Sequence, residues 1–434
     1  MSRNIPLLTR RIVARLCAPR REAEIKRTMP AGQIHHGVPV VVVGESLNCL
    51  GVVRSLSGLG IQTHVVTTTR WCGPALSRFT RVELVAGLDG RVLVDGLKAL
   101  AARLGRRAVL MLGGDRQVEV VNEHRAELEP LFQFTLPAAD RLRMLANKAS
   151  FQAFAQANDL PVPRTAVARD SVAVATALRE LALPLVLKPA DKLQVLSGRA
   201  ERAVRVDTLT QAEATATRML AGCGCIVMQE WIVGDDADIY FALFVCDRDS
   251  QVRAMFCGRK LVCDPPDVGS TGICVDAGEQ AVAVAREAER FIRAAGYQGI
   301  GSVEYKRDRR TGCFVIVEPT VGRTDWQEEI ATQCGVNLPL QAYLAECGLP
   351  AAPSHGTDVP QAWSASMFYR RPRETLPQGA RILDGYLRLS DPLPGLFHYV
   401  VEEFVRRGLR RLGRLLHGAA AHPVETRVAG NARP

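Results

Sequence analysis

The sequence predicts an α/β unit built on a parallel sheet, followed by an α+β unit rich in hairpins. Three observations carry this fold class. VPVVVVG (Val38 to Gly44) is an apolar run ending in glycine, Leu47, Leu50, Val53 and Leu56 follow at helical spacing, and IQTHVVTT (Ile61 to Thr68) is apolar again. From about residue 141 the pattern changes to helix, strand and short polar turns. GIGSVEYKRDRRTGCFVIVEPTVGR (Gly299 to Arg323) then reads as two strands around the turn DRRTG.

At 434 residues, 47% of them hydrophobic, the chain can bury more than one core. Its twelve cysteines are scattered, and the close pair Cys223 and Cys225 has no histidine beside it. Neither a zinc site nor a disulfide framework is indicated, and a reducing cytoplasm is the expected compartment. No apolar run approaches membrane-spanning length, and the arginine-rich first thirty residues do not read as a signal peptide. The net charge is +10, with eight Lys/Arg against two Glu in residues 1–28 and seven Arg against three Glu in residues 398–434. The ends carry the excess, so a basic nucleic-acid groove across the core is not expected.

Taken in order, Val38 to Thr68 reads as strand, helix and strand, a right-handed crossover in a parallel sheet. The turn Gly44-Glu45-Ser46 either offers backbone N–H groups to an anion or simply packs helix on sheet, and it lacks the three spaced glycines of a dinucleotide fingerprint. AVLMLGGD (Ala108 to Asp115) adds a strand, and the sheet extends to about residue 140. NKASFQAFAQANDLPVPRT (Asn147 to Thr165) is a helix with Phe151, Phe154 and Ala155 on one side, stopped by a proline-rich turn. PLVLKPA (Pro184 to Ala190) is a strand carrying Lys188 near its end, where the ammonium meets either solvent or an anion. LQVLSGRAERAVRV (Leu193 to Val206) reads as a hairpin turning at Ser197-Gly198-Arg199. CIVMQEWIVGDDADIYFALFV (Cys225 to Val245) gives a strand, a kink at Gly234, three acids and a second strand. AMFCGRKLVCDPPDVGSTG (Ala254 to Gly272) puts Arg259 and Lys260 on a strand leading into a proline and glycine loop.

The hairpin from Gly299 to Arg323 carries Glu304 and Glu318 on its two strands. Two carboxylates at one level of an antiparallel pair repel unless a cation sits between them. The inferred cation is magnesium, which takes one or two protein carboxylates and fills its shell with phosphates and water. The lysines upstream then hold the same phosphates.

In this order the features resemble the ATP-grasp superfamily of carboxylate-amine ligases, over roughly residues 40 to 350, and are similar to its D-aspartate ligase-like and carbamoyl-phosphate-synthetase-like branches. The resemblance implies a Rossmann-like domain (37–140) after a basic tail (1–36), then an ATP-grasp domain (141–350) that sandwiches the nucleotide between two α+β subdomains, with the lid at about 185–230. A C-terminal extension (351–434) follows. It implies ATP and Mg²⁺ as cofactors and small carboxylate and amine substrates. Lys148 and Lys188 fall at the two phosphate lysines, with Ser197 and Gly198 in the phosphate loop. Gln229 falls at the adenine amino group, the backbone of Glu230 and Ile232 at the ring edge, and Asp236 at the ribose. Glu304 and Glu318 match the two metal carboxylates. Thr320 stands where the family usually has a ligand asparagine, the glycine-rich loop is reduced to Ser197-Gly198-Arg199, and Ser302 replaces a frequent arginine. Arg259, Lys260 and Arg323 are the candidates for the positive charge at the reacting group, Arg323 being open to a plain salt bridge with Asp325 or Glu328.

Two rivals share these residues: a nucleotide-binding regulatory or scaffold protein without turnover, and a ligase that carboxylates with bicarbonate. In YVVEEFVRRGLRRLGRLLHG (399–418), Val401, Phe404, Val405, Leu409, Leu412, Leu415 and Leu416 fall on one helical face and five arginines on the other. Such a helix either docks on its own domain or lies peripherally on an anionic membrane surface.

Overall fold

The computed structural model describes residues 37–190, 203–370, 372 and 375–402. The four valines of Val40–Val43 (β1) are β-branched and buried on both faces, as the centre of a parallel sheet requires. The chain continues through α1 (Leu47–Ser55) to β2 (Thr63–Thr67), β3 (Arg81–Leu84), β4 (Ala108–Leu112) and β5 (Phe132–Gln133). All pairings are parallel, in the order β3-β2-β1-β4-β5. The strand order reverses between β1 and β4, and in such sheets ligands collect at that point, beyond the carboxyl ends of the strands. Gly44 to Ser46 and Gly113 to Asp115 stand there.

After α2 (Lys148–Ala157), whose N-terminus is capped by the Asn147 side chain, a smaller sheet forms. It contains β6 (Thr165–Ala168), β7 (Leu185–Pro189), β8 (Val204–Val206) and β9 (Ile226–Glu230), all antiparallel, in the order β6-β9-β7-β8. α3 (Ser171–Glu180) and α4 (Leu209–Cys223) cover one face, packing Val174, Ala212 and Met219 on Leu185, Leu187 and Met228. The side chains of a strand alternate, so Val186, Lys188 and Gln229 project from the opposite face. This sheet therefore begins with β6, ahead of residue 185, because β6 forms its edge beside β9.

The third sheet is the largest, with β10 (Ile239–Cys246), β11 (Val252–Asp264), β12 (Ser270–Asp276), β13 (Gly299–Arg307), β14 (Phe314–Val321), β15 (Gln361–Ser364) and β16 (Arg381–Asp384). Their order is β14-β13-β10-β11-β12-β15-β16, antiparallel except for the last pair. α5 (Ala281–Ala295) covers one face, where Phe291 and Ile292 meet Tyr240, Phe244, Val303 and Tyr305. On the other face Phe241 and Leu243 pack on Leu47 and Leu50 of α1 and on Ile330 of α6 (Glu329–Gln333). The far end of that face is left for the cleft.

The segment after residue 350 is not a separate extension in the described residues. β15 and β16 lengthen the large sheet, and Trp363 on β15 is 1% exposed. Beyond them Asp391 forms a buried ion pair with Arg54 of α1 at 3.1 Å, and Arg54 also donates to the carbonyls of Gly385 and Tyr386. Sequence periodicity missed β15 and β16 because each has four residues and neither alternates cleanly. The basic N-terminal tail and the arginine-bearing stretch from residue 403 lie outside the described residues. Among the described residues no helix is long and apolar enough to cross a membrane.

Candidate active site

The register of the large sheet sets the site. Glu304 on β13 stands directly opposite Glu318 on β14, and Ser302 opposite Thr320. Opposed residues share a face, and so do residues two apart, which puts Glu304, Glu318, Ser302 and Thr320 on one side. Glu304 also pairs with Phe241, and Phe241 with Gly258. Lys260, two residues beyond Gly258, projects to the same side and forms an ion pair with Glu304. Gly258 has no alternative here, since a Cβ would lie 2.2 Å from the Phe241 ring. Lys260 is 3% exposed. Burial pulls its pKa down, but the neighbouring Glu304 outweighs this and the ammonium is held above its ordinary value. Burial raises the Glu304 pKa against the pull of Lys260, with Glu318 and Asp325 adding to the rise.

α2 brings Lys148 to the other carboxylate, its Nζ 3.6 Å from Glu318. The N–H of Lys148 donates to the carbonyl of Ala190, just beyond β7, so the helix start is tied to the strand that carries Lys188. A small pocket is lined by Lys148, Gln152, Gln229, Val317, Glu318 and Pro319 among others. Three residues singled out by sequence, from α2, β9 and β14, thus border one space. Gln229 is oriented by Gln152 and Thr165, to which its amide nitrogen donates at 3.3 and 3.2 Å.

Beyond β14, Gly322 takes φ +73°, and a Cβ there would meet Leu136 and Val118 at 2.6 and 2.9 Å. The turn sends Arg323 to the switch point of the first sheet. Its Nε donates to Asp115 at 2.6 Å, with Asp325 at 3.7 Å from the guanidinium. Ser302 donates to Asp325, and Asn48 of α1 donates to the carbonyls of Gly113 and Thr324. Burial works against the Arg323 charge, but the Asp115 and Asp325 carboxylates hold its pKa above normal. The partner expected beside Asp325, Glu328, is occupied instead by Ser55. Asp325 is one of the two partners the sequence offered Arg323, but Asp115 and Asn48 were not found by sequence reading. Nothing local marks them, and Asp115 pairs with Arg323 across 208 positions of the chain.

Two expectations need correction. Arg259 neighbours Lys260 on one strand and so projects from the opposite face, where its guanidinium lies over the Tyr240 ring at 6.0 Å. It faces away from Glu304 and Glu318. Asp236 does not stand open to a ribose, because its two oxygens accept the backbone N–H groups of Cys263 and Asp267, each at 2.8 Å. It fastens the kink after β9 to the end of β11 and the loop that follows it. Glu230 is placed at the end of β9, but its N–H donates to the carbonyl of Arg164 and its side chain accepts from Arg164 and Ala182. Ile232 follows in the connection to β10, and Ser197 and Gly198 lie outside the described residues.

Among the described residues no three His, Cys, Asp or Glu side chains converge into a metal cage. The donors that do meet are the carboxylates of Glu304 and Glu318 and the hydroxyl of Thr320, on one face of paired strands. This oxygen-only set fits magnesium, which fills its shell from phosphates and water, and does not fit a thiol- or imidazole-seeking metal.

No family model matches the chain. It is similar to a D-aspartate ligase of Enterococcus faecium (strain Aus0004), 25% identical over 314 residues, which cover 69% of this chain and 74% of that protein. Among solved structures it is similar to an N5-carboxyaminoimidazole ribonucleotide synthetase in complex with ADP, at a TM-score of 0.59 and 15% identity over 74% of this chain and 80% of that one. A biotin carboxylase of Campylobacter jejuni matches at a TM-score of 0.57 and 14% identity, over 73% of this chain and 72% of that one. The structural likenesses show the fold, and that fold is the ATP-grasp fold.

Proposed function

We propose that the chain is an ADP-forming ligase that activates a small carboxylate as an acyl phosphate and joins it to an amine. The observation that carries this reading is Glu304 opposite Glu318, with Lys148 against Glu318 and Gln229 in the same pocket. The polyphosphate lies under Lys148 and Lys188, the base reaches Gln229, Glu230 and Ile232, and Glu304, Glu318 and Thr320 would hold magnesium. The metal, when bound, supplies charge neutralisation at the terminal phosphates.

The substrate carboxylate oxygen bonds to the γ-phosphorus as the bridge to the β-phosphate breaks and ADP leaves. The free amine nitrogen then bonds to the acyl carbon as the carbon–oxygen bond to the phosphate breaks, and inorganic phosphate leaves with the proton that the nitrogen gives up. Positioning and charge carry such transfers, so no protein nucleophile is required. Lys260 places a buried cation beside Glu304, and Arg323 places another at the switch point, where a guanidinium binds carboxylate or acyl phosphate through two donors. Asp115 and Asp325 line the same side and attract an ammonium.

The name of the Enterococcus relative makes an amino acid the first carboxylate to test. A bicarbonate-using ligase is the second reading, favoured by the carboxyaminoimidazole synthetase and biotin carboxylase likenesses. Screening amino acids, hydroxy acids and bicarbonate against amines for magnesium-dependent ADP release tests both. ADP release with bicarbonate alone as the acid selects the second, and nucleotide binding without ADP release in any pair overturns both in favour of a regulatory protein. The reading places the protein in the cytoplasm. Exposed Leu389, Leu393, Leu396, Val400 and Val401 lead into the arginine-rich stretch, which supports peripheral contact with an anionic membrane and a cell-envelope or exopolysaccharide precursor as substrate. Co-sedimentation with liposomes of graded anionic content tests that contact, and binding indifferent to lipid charge and salt overturns it.

A further inference from the structure

Lys306 on β13 is 4% exposed, and among the described residues its ammonium has no hydrogen-bond partner. An unpartnered buried cation is costly, so a position that keeps one has a use for it or a nearby compensation. The carboxylates that act on it electrostatically are Asp267, Asp238 and Asp236, none of them hydrogen-bonded to it. Asp236 is engaged by the backbone at the end of β11 and in the loop that follows it, and Asp238 is paired with Arg309 at 2.7 Å. What the ammonium does touch is the ring of Trp231, 4.0 Å from its centroid. Trp231 lies in the connection from β9 to β10, the passage between the lid sheet and the carboxylate sheet, and Arg205 of β8 covers its ring as well at 4.8 Å.

The register locates Lys306 relative to the site. It is two residues from Glu304 on the same strand, on the same face, about 6.6 Å along it. The direction is toward the β9 connection, because Lys306 pairs with Ile239, the first residue of β10. A nucleotide with its phosphates at Glu304, Glu318 and Lys148 and its base at Gln229 to Ile232 must pass over this position. We propose that Lys306 is a nucleoside-binding residue, its ammonium donating from the floor of the cleft to acceptor oxygens and nitrogens of the ribose and base rather than to the phosphates. The inference rests on the nucleotide reading above and adds to it a contact that none of the site motifs contains.

The test is calorimetry on the full chain with magnesium, using ADP, adenosine and inorganic tripolyphosphate as probes, for the wild type and Lys306→Met. Methionine keeps the unbranched stem and removes the charge. ADP and adenosine are expected to weaken by a common factor of about tenfold or more, the range for hydrogen bonds from a charged donor, with tripolyphosphate unchanged. Lys306→Gln, which keeps donors for the neighbouring aspartates, gives the same comparison where the methionine variant does not fold. Unchanged ADP and adenosine affinities with a lower melting temperature would make Lys306 a counter-ion only and overturn the proposal. Weakening confined to tripolyphosphate and ADP would make it a phosphate ligand and overturn it equally. Failure of the wild type to bind ADP at all would remove the nucleotide reading itself, a result distinct from either.

Discussion

Glu304 and Glu318 face each other in the cleft, while Glu328 and Glu329 adjoin each other at the start of α6, and the two pairs are neutralised in different ways. In the cleft each carboxylate has an amine against it, Lys260 on Glu304 and Lys148 on Glu318. At α6, Glu329 meets Arg388 at 2.9 Å, but Glu328 is met by the hydroxyls of Ser55 and Thr332 at 3.1 and 3.3 Å. Burial, with Glu329 beside it, pushes the Glu328 pKa up to about 8. One pair is balanced by two lysines. The other sheds a charge by holding a proton, which suits a packed contact between α1 and α6. Buried acids in this fold therefore divide by how they are neutralised, not by how deep they lie.

The largest effect belongs to the cleft. Glu318→Gln preserves volume and removes one charge of the pair, so magnesium-dependent ADP release is expected to fall by about a hundredfold or more, as when one preorganised electrostatic contact is lost. The melting temperature should hardly move, since Glu318 is partly exposed. Full turnover in this variant would separate the carboxylate pair from the chemistry.

Next in size is the lysine that balances the pair. Lys260→Met leaves Glu304 in a largely buried position without its cation, and the loss of one partner of such a pair costs about 3 kcal/mol. Denaturant unfolding should show that loss, and adding Glu304→Gln to Lys260→Met should recover most of it, because the stranded charge is gone. A double variant no more stable than the single one would mean that Lys260 packs rather than pairs.

Much of this was legible in the sequence because the relevant signals are local. The valine run of β1, the helix opened by Asn147, and the spacing of Glu304 and Glu318 around a five-residue turn each follow from a few neighbouring residues. The face on which a side chain emerges was not legible. It depends on register between strands, which alone separates Arg259 from Lys260. Contacts such as Asp115 with Arg323, or Arg54 with Asp391, depend on how three sheets and a C-terminal segment are brought together. The resemblance puts Asp236 at the ribose, but backbone amides of Cys263 and Asp267, far along the chain, claim both its oxygens.

The α6 pair predicts a pH dependence of definite sign. A carboxyl whose folded pKa is raised binds a proton that the unfolded chain has released, so stability is greatest below the unfolded value near 4.5 and is lost as pH rises toward about 8. The loss is on the order of a few kcal/mol across that window, at 1.36 kcal/mol for each pKa unit. Glu328→Gln mimics the protonated form and should flatten the profile between pH 5 and 8, read by denaturant midpoints. A wild-type profile already flat there would show that Glu328 is ionised in the fold and that the contrast between the two pairs does not hold.

The smallest expected effect is also the sharpest check on which face carries the site. Arg259 and Lys260 are adjacent, both cationic and both on β11, so composition does not distinguish them. A strand turns successive side chains to opposite faces, and Lys260 is fixed on the cleft side by its ion pair with Glu304. Arg259 must then emerge toward α5, where it pairs in register with Tyr240 and lies over that ring. Arg259→Met is expected to lose about 0.5–1 kcal/mol of stability, the size of one cation–π contact. Its kcat and KM should stay within about twofold of wild type, a difference under 0.5 kcal/mol in barrier height. The same measurements on Lys260→Met should show a far larger fall in turnover for a change of one position in the chain. A hundredfold loss of kcat in Arg259→Met, with the fold intact, would mean that this guanidinium reaches the transferred phosphoryl group, and the division of β11 into a site face and a packing face would have to be abandoned.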